Sequence, residues 1–144
     1  MKRSPALRVA AIRWKGPYSE ATIRRQFAQV EKWARTHRIR TGRWVFREPG
    51  SRVWDVAIEV RGAARSEGRV KVQTLRACTV ASVVFDPEVV SPRVVYHGLS
   101  DWLRWRRKEK KVRSILSTRE LYPGDPWKNA QAWARTEVQF VVRT

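Results

Sequence analysis

One pattern governs what this chain can fold into: strand, helix, strand, strand, written twice. In the first copy, residues 7–14 (LRVAAIRW) alternate as a strand, and Gly16-Pro17 closes it. Ser19 reads as a helix cap. Ile23, Phe27, Val30 and Ala34 then fall on one face of a helix that runs to about Arg38. Residues 43–47 (RWVFR) and 53–60 (VWDVAIEV) predict two strands around a Glu48-Pro49-Gly50-Ser51 turn. Residues 69–76 (RVKVQTLR) alternate as one more strand-like piece.

The second copy begins with residues 79–85 (TVASVVF), a strand that Asp86-Pro87 stops. Ser91-Pro92 is a helix start, with proline in the first turn where its missing N–H costs nothing. Val95, Leu99, Trp102 and Arg106 mark one face of a helix over about 92–109. Residues 115–122 (ILSTRELY) and 135–142 (RTEVQFVV) predict the remaining strands, parted by a Pro123-Gly124-Asp125-Pro126 turn. Val9-Ala10-Ala11-Ile12 recurs as Val80-Ala81-Ser82-Val83, and the run Asp55–Val60 recurs as Glu137–Val142. Such a duplication predicts an α+β fold: one shared antiparallel sheet with both helices on one face. The other face, or a groove along the pseudo-twofold, is left for a ligand. Residues 1–6 are expected to be a disordered start. Residues 7–144 are then one domain of two half-units, 7–76 and 77–144.

Composition removes whole classes of function. The 144 residues carry 31 Lys and Arg against 13 Asp and Glu, a formal charge of +18. One cysteine and two histidines cannot build a zinc finger, a CxxC redox site or an iron–sulfur ligand set, so no metal and no cofactor is expected. The lone Cys78 suits a reducing compartment and reads as a buried, inert thiol. No apolar run approaches the ~20 residues of a membrane span. Arg8 and Arg13 interrupt what would be a signal-peptide core, so a cytoplasmic location is expected. Neither a dinucleotide fingerprint nor a phosphate loop is present.

Four stretches carry a family resemblance. The run VAAIRWKGPYSEA (9–21) resembles the opening of the gyrase-inhibitor (GyrI)-like small-molecule-binding domain, where a strand ends in a basic residue, Gly-Pro and Tyr. VKVQTLRACTVASVVF (70–85) resembles the join between its halves, STRELYPGDP (117–126) its late strand with a Glu-x-Tyr pair, and RTEVQFVV (135–142) its closing strand. In the second half this chain has FDPEVVSPRVVYHG (85–98) where the family repeats the basic-x-Gly-Pro-Tyr element. The resemblance implies a tandem strand-helix-strand-strand domain. The family includes effector-binding modules of multidrug-sensing activators, stand-alone gyrase inhibitors and hydrolases of cyclopropane-bearing toxins. It also implies that Glu120 is the pocket acid that meets cationic aromatic drugs, with Tyr122 two residues on.

The residues themselves support that placement. Glu120 and Tyr122 are two apart on a strand and so share a face. An acid among aromatics is costly to bury unpaired, and in a pocket it can pair with a cationic ligand or serve as a general acid or base. Trp44, Trp54 and Trp133 lie on or beside strands. With Phe46 and Tyr122 they are candidates for an aromatic pocket wall. Tyr18, after Gly-Pro, and Tyr96, near a helix start, are the other candidates. The alternative for each aromatic is core packing, and for Glu120 a surface pair with an arginine.

The expected function is a stand-alone small-molecule-binding protein. It takes planar apolar or cationic aromatic compounds in a central aromatic pocket with a Glu. One alternative is a hydrolase of electrophilic cyclopropane-bearing toxins, with Glu120 as general base and Tyr122 beside it. Another is a basic nucleic-acid or protein interaction module. The expected partners are a small-molecule ligand, nucleic acid bound non-specifically at low salt, and a protein partner such as gyrase or a separate regulator, but no membrane. The run Arg104–Lys111 with Trp105 carries the nucleic-acid expectation.

Overall fold

In the computed structural model, which describes residues 1–144, both copies share one eight-stranded antiparallel sheet. The strands are β1 (Lys2–Ser4), β2 (Leu7–Lys15), β3 (Arg40–Gly50), β4 (Val53–Arg61), β5 (Lys71–Leu75), β6 (Cys78–Phe85), β7 (Ser114–Tyr122) and β8 (Thr136–Arg143). Their order is β1-β6-β8-β7-β3-β4-β2-β5. The halves meet where β3 pairs with β7, and there Phe46 lies opposite Glu120 and Trp44 opposite Tyr122.

Helix α1 (Glu20–Thr36) starts where Ser19 Oγ accepts the Thr22 N–H at 3.2 Å. Its buried stripe of Ile23, Phe27, Val30 and Ala34 packs on Ala10 and Ile12 of β2 and on Val56 and Ile58 of β4. Replacing the cap, Ser19→Ala, should cost about 1 kcal/mol in a urea melt, the ordinary worth of such a bond. Helix α2 (Pro92–Lys108) covers the second half through Val95, Leu99 and Leu103, which meet Ala81, Val138 and Phe140. The buried face is therefore the i, i+4, i+8 row. Trp102 flanks it, half-buried, under the Arg106 guanidinium at 5.4 Å.

The opposite face of the sheet curls closed on itself. Leu7, Val9, Ala11 and Leu75 pack there against Val45, Ala57 and Leu121, with no helix over them. The curl brings Ser4 of β1 within 2.9 Å of Arg119 Nη2, although β1 lies three places from β7 in the strand order. Two dipeptides, Pro5-Ala6 and Arg76-Ala77, each join strands from opposite ends of the sheet. Of the two places that the sequence leaves for a ligand, the helix-free face and a groove along the pseudo-twofold, the face is filled.

Polar groups line its ends. Asp55 is fully buried and bridges Arg13 (Nε 2.7 Å, Nη2 2.9 Å) and Arg47 (Nε 2.9 Å, Nη2 2.5 Å). Burial alone would raise the Asp55 pKa, but the hydrogen bonds and charges of Arg13 and Arg47 outweigh it and hold the carboxyl below the usual aspartate range.

The first six residues depart from the expected disordered start. Lys2, Arg3 and Ser4 pair with Val80, Thr79 and Cys78, because β6 offers an open edge beside them and Ser4 finds Arg119 inside the curl. Helix α3 (Ala130–Ala134), capped by Asn129, is one turn that the sequence pattern did not mark.

Candidate functional site

A groove of about 640 Å³ lies on the helix-bearing side of the sheet, between the start of α1, the start of α2 and α3. A smaller pocket of about 250 Å³ adjoins it and shares Tyr18, Phe46 and Glu120. The strand period sets this lining. Glu120 and Tyr122 alternate onto the helix side of β7, while Arg119 and Leu121 point into the curl.

Glu120 sits at the floor, half-buried, with both carboxylate oxygens engaged. The Tyr96 hydroxyl, from the first turns of α2, donates to Oε1 at 2.6 Å, and the Tyr122 hydroxyl donates to Oε2. The ion pairs of the protein leave Glu120 out. Glu20 and Glu88 also line the groove and Glu48 lines the smaller pocket, and these carboxylates too lack an ion-pair partner.

Aromatic rings form the walls. Phe46 stacks on Trp54 with centroids 5.7 Å apart, and Tyr18 meets Trp54 edge-on at the same distance. Trp54 is fixed by its Nε1–H, which donates to the Gly16 carbonyl at 2.9 Å. Gly16 has φ +147°, a conformation open to glycine, and the turn it makes places Tyr18 at the groove mouth. On the far wall Trp133 stacks on Tyr122 at 6.4 Å and donates Nε1–H to Glu88 at 3.0 Å.

The three tyrosines of the chain all belong to this site, and each has its pKa raised. Burial is the largest cause for each, and the charge of Glu120 adds to it. A spectrophotometric titration should therefore show much less than half of the tyrosine ionised at pH ~10, where free tyrosine is half ionised. The unfolded chain ionises first, so this term lowers stability as pH rises through ~10. Half-ionisation of the native protein near pH ~10 would contradict this geometry.

Of the eight residues singled out from the sequence, Glu120, Tyr122, Phe46, Trp54, Tyr18, Tyr96 and Trp133 line the groove and the pocket beside it. Trp44 does not. It is 5% exposed and stacks on Phe27 at 4.8 Å inside the α1 core, because it sits farther under that helix than Phe46 does. The sequence reading missed Trp127, Glu88 and Phe27, which also line the groove. Asp125 holds the first of these in place, since its carboxylate accepts the Trp127 N–H at 2.9 Å. The Asp-Pro-Trp run after a turn was the available signal.

Other candidates lie elsewhere. Glu137 pairs with Lys2 at 3.0 Å. His37 pairs with Glu67 at 2.8 Å. Cys78 is half-buried, with its sulfur 3.5 Å from Arg119 Nη2. No three His, Cys, Asp or Glu side chains converge in a metal-binding group, and no helix is long and apolar enough to cross a membrane.

No family model and no curated protein matches this sequence. Solved structures do share its fold. The EcmrR C-terminal domain aligns with a TM-score of 0.73 at 19% identity, over 99% of this chain and 95% of that one. A hydrolase encoded by lin2189 from Listeria innocua aligns with a TM-score of 0.60 at 15% identity, over 99% and 91%. SAV2435 bound to tetraphenylphosphonium aligns with a TM-score of 0.52 at 10% identity, over 99% and 92%. These neighbours share the fold, and the gyrase-inhibitor-like α+β fold expected from the sequence is the one observed.

Proposed function

We propose that the groove binds planar apolar or cationic aromatic small molecules, with Glu120 as the acid of an aromatic box. One observation carries the proposal: Glu120 is a half-buried carboxylate with phenolic partners but no cationic one, in a protein of charge +18. Charges withdrawn from water are ordinarily paired, and a cationic ligand supplies the missing partner. The Phe46, Trp54 and Trp133 faces add ~0.5–2 kcal/mol per cation–π contact and most of the buried area. Glu20, Glu48 and Glu88 join Glu120 against Lys128 in the groove, while Arg47 and Arg119 at the smaller pocket turn their guanidiniums to Asp55 and to Gln139 and Ser4. Arginines more than ~8–10 Å away are screened at physiological salt, so the outer charge does not cancel this field. SAV2435 holds a lipophilic cation on the same fold.

Intrinsic tryptophan fluorescence tests the reading, with tetraphenylphosphonium as cation and triphenylphosphine oxide as neutral counterpart. The native protein should show saturable quenching by the cation. Glu120→Gln should weaken cation binding by ~10–100-fold, the worth of a charged partner, and leave the neutral compound nearly unchanged. No saturable response to either compound would overturn the proposal.

A second reading keeps the same residues. Two phenols that already hydrogen-bond Glu120 resemble a water-orienting pair, which would suit hydrolysis of an electrophilic cyclopropane with Glu120 as base. Mass spectrometry of such a compound after incubation decides. Product that disappears in Glu120→Gln supports turnover, and an intact one-to-one complex supports binding alone. Nucleic acid held only by the outer charge should be released at moderate salt and be indifferent to Glu120→Gln.

A further inference from the structure

Strand β1 covers β6 only from Cys78 to Val80. From Ala81 to Phe85 the outer edge of β6 pairs with no strand, so alternate residues there present unpaired backbone groups, with Met1 alongside the first of them. Proteins ordinarily guard such an edge with Lys, Pro or a bulge. Here the guard is missing, although the chain has 31 basic residues to draw on. Between Arg76 and Arg93 there is no Lys or Arg at all, the longest such stretch in the sequence. The edge instead shows Val83 (37% exposed) and Val84 (58%), with Val89 and Val94 beyond them. Next to it an apolar cleft of about 380 Å³ lies between β6 and α2, lined by Met1, Val83, Val95, Leu99 and Trp102.

We propose that this edge is a self-association site, where β6 of one copy pairs antiparallel with β6 of a second copy about a twofold axis at Val83. The occupant follows from charge and geometry. Two molecules of charge +18 repel over most of their surfaces, and this apolar strip, to which β6 brings no Lys or Arg, is where they can approach. The open edge is bounded by Lys2 of β1 at one end and Asp86-Pro87 at the other. Centring on Val83 sets Ser82 opposite Val84, just past the end where Met1 follows Lys2 alongside Ala81. That register brings Asp86 of each copy toward Lys2 and Arg3 of the other, an attractive pairing made twice. A twofold contact closes on itself, so it stops at a dimer rather than growing a fibre. The dimer joins two eight-stranded sheets into one of sixteen, and its axis lies away from Glu120.

Sedimentation equilibrium of the full chain provides the test. The native protein should show a concentration-dependent dimer that tightens as salt rises, because salt screens the mutual repulsion. Val84→Lys, a surface change outside the ligand groove, should weaken the dimer at least ~10-fold, with circular dichroism unchanged. If that variant folds poorly, Val83→Cys in a Cys78→Ser background gives the second reading. Oxidation should then yield a disulfide-linked dimer, whereas Val94→Cys in the same background should not. A monomer at every concentration and salt overturns the proposal and leaves the edge to a strand of another protein. A dimer indifferent to Val84→Lys, or one that dissociates as salt rises, overturns it as well.

Discussion

Asp55→Asn should cost the fold about 3 kcal/mol and shift its urea midpoint accordingly. Removing one partner of a buried ion pair typically costs ~3–5 kcal/mol, because the other partner is left charged and poorly solvated. Here the lower end applies. Asp55 is fully buried, but the Arg13 side chain is 55% exposed and can rehydrate, while Arg47 at 20% cannot do so fully. An asparagine keeps the shape and one acceptor, yet it cannot match two guanidinium forks. Arg13→Met should cost under ~1 kcal/mol, since Arg47 still neutralises the aspartate and half-exposed pairs are weak. The pH dependence has a defined sign. The folded Asp55 pKa lies below the ordinary ~3.9. Its stabilisation is therefore complete above pH ~4 and is lost as pH falls through the folded value. Asp55→Asn should remove that acid-side loss. An acid limb equally steep in the variant would show that other carboxylates govern it.

Phe27→Ala should be the other large loss, about 3–5 kcal/mol, the usual range for a fully buried phenylalanine. Phe27 is 1% exposed, stacks on Trp44 at 4.8 Å and tilts against Trp127 at 5.7 Å. At roughly 3 °C per kcal/mol for a chain of this size, the melting midpoint should fall by ~10–15 °C. The same ring separates the α1 core from the groove, so its removal also enlarges the groove. Tetraphenylphosphonium should then recover more stability in Phe27→Ala than it adds to the native protein. Equal stabilisation of both would place the ligand elsewhere.

The two long helices and most strands were legible because their signals are local. The α1 stripe of Ile23, Phe27, Val30 and Ala34 and the cap at Ser19 need no knowledge of the rest of the chain. Glu120, Tyr122 and Phe46 were legible through the two-residue period of strands and a motif resemblance. Trp44 was misplaced because strand phase puts it on the groove side without saying how far it lies under α1. The β1 strand was invisible because nothing in Met1-Lys2-Arg3-Ser4 specifies order. Its partner is an edge almost eighty residues away, and Arg119 supplies the hydrogen bond that anchors it. Phe27 was legible only as part of the α1 stripe and Trp127 had no assigned place, since only the tertiary structure shows that they border open space.

The two dipeptides that span the closed face act as a fixed caliper for the ligand site. Pro5-Ala6 and Arg76-Ala77 are too short to let the ends of the sheet drift apart, so they set how tightly it bends. The helices ride on the outside of that bend, and its radius sets the gap between their starting turns, where Tyr18 and Tyr96 stand. Lengthening either link with glycines would flatten the sheet and draw the helices together. The largest ligand that fits would then shrink, with no residue of the binding surface changed. On the proposed reading of the groove, its size selectivity would be set partly by the backbone length of two connections on the sheet's other side.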